Sequence, residues 1–167
     1  GETRQKFQDN LEQHLRENPY LPGARETVAA LRERGVVVAI ISSGLLLHAE
    51  MVAADLDIGP VLGNEISFDG EGSEARVNGH VTAHVPYGGK QLILARLQAD
   101  LGVMPSETLA AGDTRSDLGL FSLAAVAVAV QPDHPDVARA AHIVLPDGDL
   151  GPLLGRLHQA APGPWPG

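Results

Sequence analysis

The chain is predicted to fold as an α/β domain built on a parallel sheet with helices on both faces. Val36-Val37-Val38-Ala39-Ile40-Ile41 is an uninterrupted, mostly β-branched run, the pattern of a strand buried on both faces. Shorter apolar runs recur downstream at Thr108-Leu109-Ala110-Ala111, at 126–130 and at 142–145. Stretches with helical spacing separate them, and strands alternating with helices imply a parallel sheet.

Residues 2–17 read as an amphipathic helix, with Phe7, Leu11 and Leu15 on one face. Asn18-Pro19-Tyr20-Leu21-Pro22-Gly23 breaks it. A second helix follows at 24–34, with Ala24, Val28 and Leu31 inward and Gly35 as its stop. The 36–41 strand then ends at Ser42-Ser43-Gly44, and helical spacing resumes over 45–56. Residues 64–86 change character. Ile66 and Phe68 alternate with polar residues, and Gly70, Gly72 and Asn78-Gly79 lead to Val81, Ala83 and Val85, a β-hairpin flap. Tyr87-Gly88-Gly89-Lys90 opens a helix of about residues 90–101. After the strand at 108–111 come a helix at 117–124, a strand at 126–130, a helix at 136–141, a strand at 142–145 and a last helix at 150–158. The stretch 160–167 holds three prolines and is expected to be a loose tail.

A length of 167 residues suits one domain with a full core, and 44% hydrophobic with 20% charged residues is a globular composition. A net charge of −9 argues against a nucleic-acid or anionic-membrane partner, where a basic stripe is expected. Without cysteine there is no disulfide framework, thiol nucleophile or zinc-thiolate site. No apolar run approaches the ~20 residues of a membrane helix, and a cytoplasmic location is the default expectation. No H-E-x-x-H zinc motif and no G-x-S-x-G elbow occurs.

The stretch Gly112-Asp113-Thr114-Arg115-Ser116-Asp117 carries the most chemical information. A strand, a glycine turn and two aspartates four apart put two carboxylates at the C-terminal edge of a sheet, where open α/β sheets bind ligands. Carboxylates so close repel unless a cation lies between them, and Mg²⁺ is the natural one. The same acids also read as a helix N-cap, Asp113 or Ser116, followed by a first-turn acid, Asp117. Ser42-Ser43-Gly44, between strand and helix, is either an anion site of hydroxyls and amides or a serine N-cap with a tight turn. Lys90, one of only two lysines, either neutralises a phosphate or is a solvated surface side chain.

In this order, a strand ending in Ser42, Lys90 after a flap, and Asp113 with Asp117 after a strand, the chain resembles the haloacid dehalogenase-like (HAD) phosphohydrolases. The similarity runs over about residues 21–157 and is greatest to the phosphoserine phosphatase-like branch. Leu21-Pro22-Gly23-Ala24, the 38–44 run, Gly63-Asn64-Glu65, Gly88-Gly89-Lys90 and Ala111-Gly112-Asp113 carry it. The resemblance implies a three-layer Rossmann-like core at 21–159 with the flap at 64–86, and a remnant of a helical cap at 1–20. It also implies a Mg²⁺-dependent phosphomonoesterase acting on a small phosphorylated metabolite through an aspartyl-phosphate. Ser42 and Lys90 would bind the phosphoryl oxygens, with Ser43 and Gly44 supplying amides. Asp113 would ligate the metal directly, and Asp117 would do so through water or in support. Thr114, Arg115 and Ser116 would lie near substrate or behind the ligands, with Arg115 either approaching substrate or offsetting the two acids.

One part of the pattern is missing. The family's D-x-D nucleophile strand belongs upstream of residue 21, where this sequence has a polar-rich helix. Asp55-Leu56-Asp57 closes a helix and Asp147-Gly148-Asp149 precedes the last one, so both are read as structural. Truncation is the simplest reading. In the family the absent strand lies between those carrying Ser42 and Asp113, so these two are expected either to leave a gap or to pair directly, and the isolated chain to be marginal or to need a partner. Ser116 stands where the branch usually has Asn, and Leu46 where it often has Asp. A HAD-like domain that binds a phosphorylated ligand without turnover is the alternative, and a receiver-like signalling module fits the flap and the 112–117 spacing less well.

Overall fold

The structure, a computed structural model, describes residues 1–18 and 20–160, apart from the His158 side chain. Most of the expected Pro-rich tail, 161–167, lies outside the described residues. Helices α1 (Arg4–Glu17), α2 (Ala24–Glu33), α3 (Leu46–Leu56), α4 (Lys90–Leu101), α5 (Leu118–Phe121), α6 (Pro135–Ala140) and α7 (Leu153–Ala160) alternate with strands β1 (Ile40–Leu45), β2 (Val61–Asp69), β3 (Arg76–Thr82), β4 (Leu109–Gly112), β5 (Val126–Val130) and β6 (Ile143–Leu145). The α/β class is as expected. The strands form two three-stranded sheets, β1-β2-β3 and β4-β5-β6. The chain divides accordingly into two compact units, one of residues 1–20 and 37–86, the other of 21–36 and 87–167.

In the first unit β2 pairs parallel with β1 and then antiparallel with β3, so the flap is a continuation of a core strand. Helix α1 is amphipathic as its spacing predicts, with Phe7, Leu11 and Leu15 half-buried. It docks on the flap: Phe7 meets Phe68 edge-to-face at 6.0 Å, and the Arg4 guanidinium sits 4.1 Å from the Phe68 ring centre. The β-branched run departs from expectation. Its first four residues are not in a strand, and β1 starts at Ile40 and continues through Ser42-Ser43-Gly44 to Leu45. Nor is it buried on both faces: Val37 is 55% exposed, and no β1 residue is fully buried. The cause lies in the pairing: among the described residues β1 pairs with β2 alone. Helix α3 is capped by Leu45 without a side-chain bond, so the serine N-cap does not form.

In the second unit all three strands are parallel, and every residue of β5 is buried. Val126, Val128 and Val130 share a core with Ile143, Leu145, Leu153 and Leu157, against which Leu31 of α2 packs. Ala127 and Ala129, pointing to the other face, are equally inaccessible. Two expectations shift here. The helix placed at 117–124 is a 3₁₀ turn, Arg115–Asp117, followed by the four-residue α5. The last helix starts three residues late, at Leu153. Strands β1 and β4 belong to different sheets, so the direct pairing considered above is not formed.

Candidate active site

The second unit assembles the acidic loop and the lysine. β4 and β5 run parallel in register, Gly112 opposite Ala129, and deliver the loops that follow them to the same C-terminal edge. Gly112 is required by close approach. A Cβ there would lie 2.4 Å from Asp117 Cβ and Cγ and 2.6 Å from its Oδ2, so only glycine lets the Asp117 side chain fold back over the strand end. Asp117 Oδ2 then accepts the N–H groups of Asp113 (3.1 Å) and Thr114 (3.0 Å) and the Thr114 hydroxyl (3.1 Å). Thr114 Oγ1 is also 2.7 Å from Ser116 Oγ.

The other oxygen, Asp117 Oδ1, accepts from Lys90 Nζ at 2.6 Å. Both side chains are buried, at 11% and 4% exposure. Lys90 is the first residue of α4, where a cation opposes the helix dipole, and Asp117 offsets that cost. Gln98 anchors the far part of α4, donating to Thr108 Oγ1 (2.8 Å) and to the Leu123 carbonyl (2.9 Å). Burial alone would raise the Asp117 carboxyl, but the Lys90 hydrogen bond and the backbone N–H bonds outweigh it and hold it below the usual carboxylate value.

Asp113 is the complement. Its residue is exposed, and its carboxylate has no hydrogen-bond or ion-pair partner among the described residues. Partial burial raises its pKa, and the nearby Asp117 and Asp133 charges push the same way. A cation at Asp113 would relieve that repulsion, and a hard carboxylate oxygen suits Mg²⁺, which commonly takes one or two carboxylates and completes its shell with water and phosphate. The residues therefore fit the metal at Asp113. Asp117 has both oxygens engaged inside the protein, which suits the supporting role rather than direct ligation. Among the described residues no group of three or more acidic, His or Cys side chains converges to hold a metal. Neither Asp113 nor Ser116 caps the turn, because Thr114 occupies that position.

Arg115 points from this loop to the connection after β5. Its Nη2 lies 2.7 Å from His134 Nε2 and donates to Asp136 Oδ2 at 3.1 Å. The Asp136 N–H also approaches His134 Nδ1, at 3.1 Å. Both groups are donors and a neutral imidazole accepts at one nitrogen only, so the two contacts are alternatives. The sequence reading missed Asp133, whose N–H bonds the Asp113 carbonyl at 2.9 Å, and Gln98. Asp133 follows Pro132 at the end of β5 with no motif around it. Only the alignment of parallel strand ends could have drawn attention to it.

Ser42, Ser43 and Gly44 lie in the first unit, in a bulge. Between the pairs Ile41–Leu62 and Leu45–Asn64, β1 carries three residues where β2 carries only Gly63. A Cβ on Gly63 would meet Leu46 Cα at 2.8 Å, so α3 rests directly on that backbone. Asn64 ties the bulge to the end of the flap: its amide donates to the carbonyls of Ser43 (2.8 Å) and Val85 (3.2 Å), and its Oδ1 accepts the Val85 N–H (2.8 Å). Ser42 Oγ accepts the Gly44 N–H at 3.0 Å, which occupies one of the expected amides but leaves the hydroxyl proton to donate. Asp57 ends α3 in a left-handed conformation, and Asp147-Gly148-Asp149 is a loop beyond β6, so neither D-x-D pair ends a strand as the pattern requires.

A family model for haloacid dehalogenase-like hydrolases matches residues 1–122. The chain is 32% identical over 122 residues to a phosphoserine phosphatase of Streptomyces coelicolor, covering 72% of this chain and 28% of that one. It is 28% identical to a phosphoserine phosphatase of Idiomarina loihiensis over 92% of this chain and 68% of the relative. A probable phosphoserine phosphatase from Vibrio cholerae, solved unliganded, superposes with a TM-score of 0.79 at 26% identity over 95% of this chain and 46% of that one. The chain thus spans about a quarter of the Streptomyces relative and under half of the Vibrio structure.

Proposed function

The chain belongs to the haloacid dehalogenase-like hydrolases, and from that premise we propose that it carries the phosphate- and metal-binding part of a Mg²⁺-dependent phosphomonoesterase of the phosphoserine phosphatase-like branch. The observation that carries this reading is the buried Lys90–Asp117 pair beside an Asp113 carboxylate with no partner among the described residues. In this reading Lys90 directs its ammonium, held by Asp117, at the phosphoryl oxygens and offsets the charge that develops as phosphorus is attacked. Asp117 fixes the position of Lys90 and the fold of the loop. Asp113, with the loop amides already committed to Asp117, offers its free carboxylate to Mg²⁺, which when bound neutralises phosphoryl oxygen charge. The substrate is a small phosphorylated metabolite, and the family's aspartyl-phosphate would form on an aspartate that is not among these residues.

The test is calorimetric titration of the chain with inorganic phosphate in the presence of Mg²⁺. Binding is expected, and Asp113→Asn, an isosteric change at an exposed site, is expected to weaken it about tenfold or more. Phosphate binding that ignores both Mg²⁺ and Asp113→Asn would sink the reading. Phosphomonoester hydrolysis measured on the longest open reading frame containing these residues separates an enzyme from a domain that binds phosphorylated ligands without turnover.

A further inference from the structure

Helix α4 has two sides of different character. Lys90, Leu94 and Gln98, four apart, are its buried residues. Leu92 lies two residues, or about 200°, around the helix from Lys90, and it is 77% exposed. Ala95, Arg96 and Ala99 follow it at three- and four-residue spacing and are exposed as well. Gly102 ends the helix in a left-handed conformation, and the exposed Val103 and the 62% exposed Met104 come directly after it. The outward face thus begins with leucine, continues through two alanines and ends at valine and methionine, with one arginine among them. Single exposed apolar residues are ordinary, whereas a row of them along one helix marks an interaction surface.

The charges along the edge of this face point to the kind of partner. Arg96 and Asp100 are exposed, one turn apart, and neither has a hydrogen-bond or ion-pair partner among the described residues. Asp100 stands in the last turn, where an acid opposes the helix dipole and no basic side chain of that turn offsets it. A second α4 laid antiparallel on the first, about a two-fold axis level with Gln98, sets Arg96 of each copy opposite Asp100 of the other. The same axis brings Leu92 of each copy level with Val103 and Met104 of the other. One surface therefore supplies both halves of an isologous contact. With twelve residues, α4 is about 18 Å long. The contact is accordingly at the small end of specific interfaces, below about 1,200 Å², and the dimer it forms is a weak one.

We propose that the outward face of α4 is a homodimer interface, in which Leu92 packs on a second copy of this chain and Arg96 pairs with that copy's Asp100. The inference does not depend on the phosphate-binding reading, because this face lies on the side of α4 away from Lys90. It is tested by sedimentation equilibrium of the chain in about 0.15 M salt, where repulsion between two exposed surfaces is screened beyond about 8 Å. A monomer–dimer equilibrium with a Kd between about 1 µM and 1 mM is expected. Leu92→Glu buries an acid in the contact and leaves the chain monomeric over that range, while its circular dichroism melt stays unchanged because the site is exposed. Arg96→Asp and Asp100→Arg each place like charges across the axis and weaken the dimer about tenfold or more. Mixed in equal amounts, these two variants set acid against base again and form a heterodimer of about the original affinity. A chain that stays monomeric throughout overturns the proposal. So does a dimer that survives Leu92→Glu, and so do charge variants that fail to associate on mixing.

Discussion

At the Lys90–Asp117 contact, a buried ammonium at the start of a helix faces a carboxylate whose second oxygen already caps a loop. Asp117→Asn keeps the shape and removes the charge, leaving Lys90 buried without its counter-ion. We expect a loss of about 3–5 kcal/mol, measured by urea unfolding at neutral pH. The pH dependence has a definite sign. Asp117 titrates below its unfolded value of about 3.9, so its contribution is complete above that value and disappears as pH falls through the lower folded one. The stability gap between the chain and Asp117→Asn should therefore close on acidification below about pH 4; a gap that persists to the acid limit would refute the assignment. The scarcity of lysine, the spacing of the aspartates and the family resemblance pointed to Lys90, Asp113 and Asp117. They gave no means of telling which carboxylate is free, because that depends on Lys90, 27 residues away in sequence.

Among the elements, the β1 bulge and the flap are joined by one side chain. Asn64 makes three hydrogen bonds, two of them to the backbone of Val85, a residue with no exposed surface. Asn64→Ala leaves these buried groups unsatisfied, at a cost of about 1–3 kcal/mol. The specific readout is amide exchange: the Val85 N–H should lose protection in the variant while amides of β5 keep theirs. Equal loss across both units would mean that Asn64 acts only through global stability. Most elements were legible because their apolar spacing is local. The boundaries of β1 were not, since an apolar β-branched run states preference, whereas a strand exists only where a neighbour bonds to it. β1 has such a neighbour from Ile40 onward and on one side only.

For the whole molecule the governing quantities are charge and the division into two sheets. With 21 acidic against 12 basic side chains, the compact state carries self-repulsion. Raising ionic strength from about 0.01 to 0.15 M shortens the Debye length from about 30 to 8 Å, and the melting temperature should rise accordingly. A falling melting temperature over that range would show that attractive ion pairs dominate instead. Each unit has its own sheet, and among the described residues the strand carrying candidate site residues, β1 or β4, has one bonded neighbour in each.

The sequence by itself determined the α/β class, the order of nearly all elements and the family, and it pointed to Lys90, Asp113 and Asp117 as candidates. These follow from periodicity and from short motifs, which are properties of neighbouring residues. Only the tertiary structure decided that Asp117 is committed to Lys90 and the loop amides, that Asp113 is the free carboxylate, that Gly112 and Gly63 are fixed by close approach, and that Arg115 is held across two strand ends. Hydrogen-bond saturation and steric contact are set by which distant segments meet, and no local pattern encodes them.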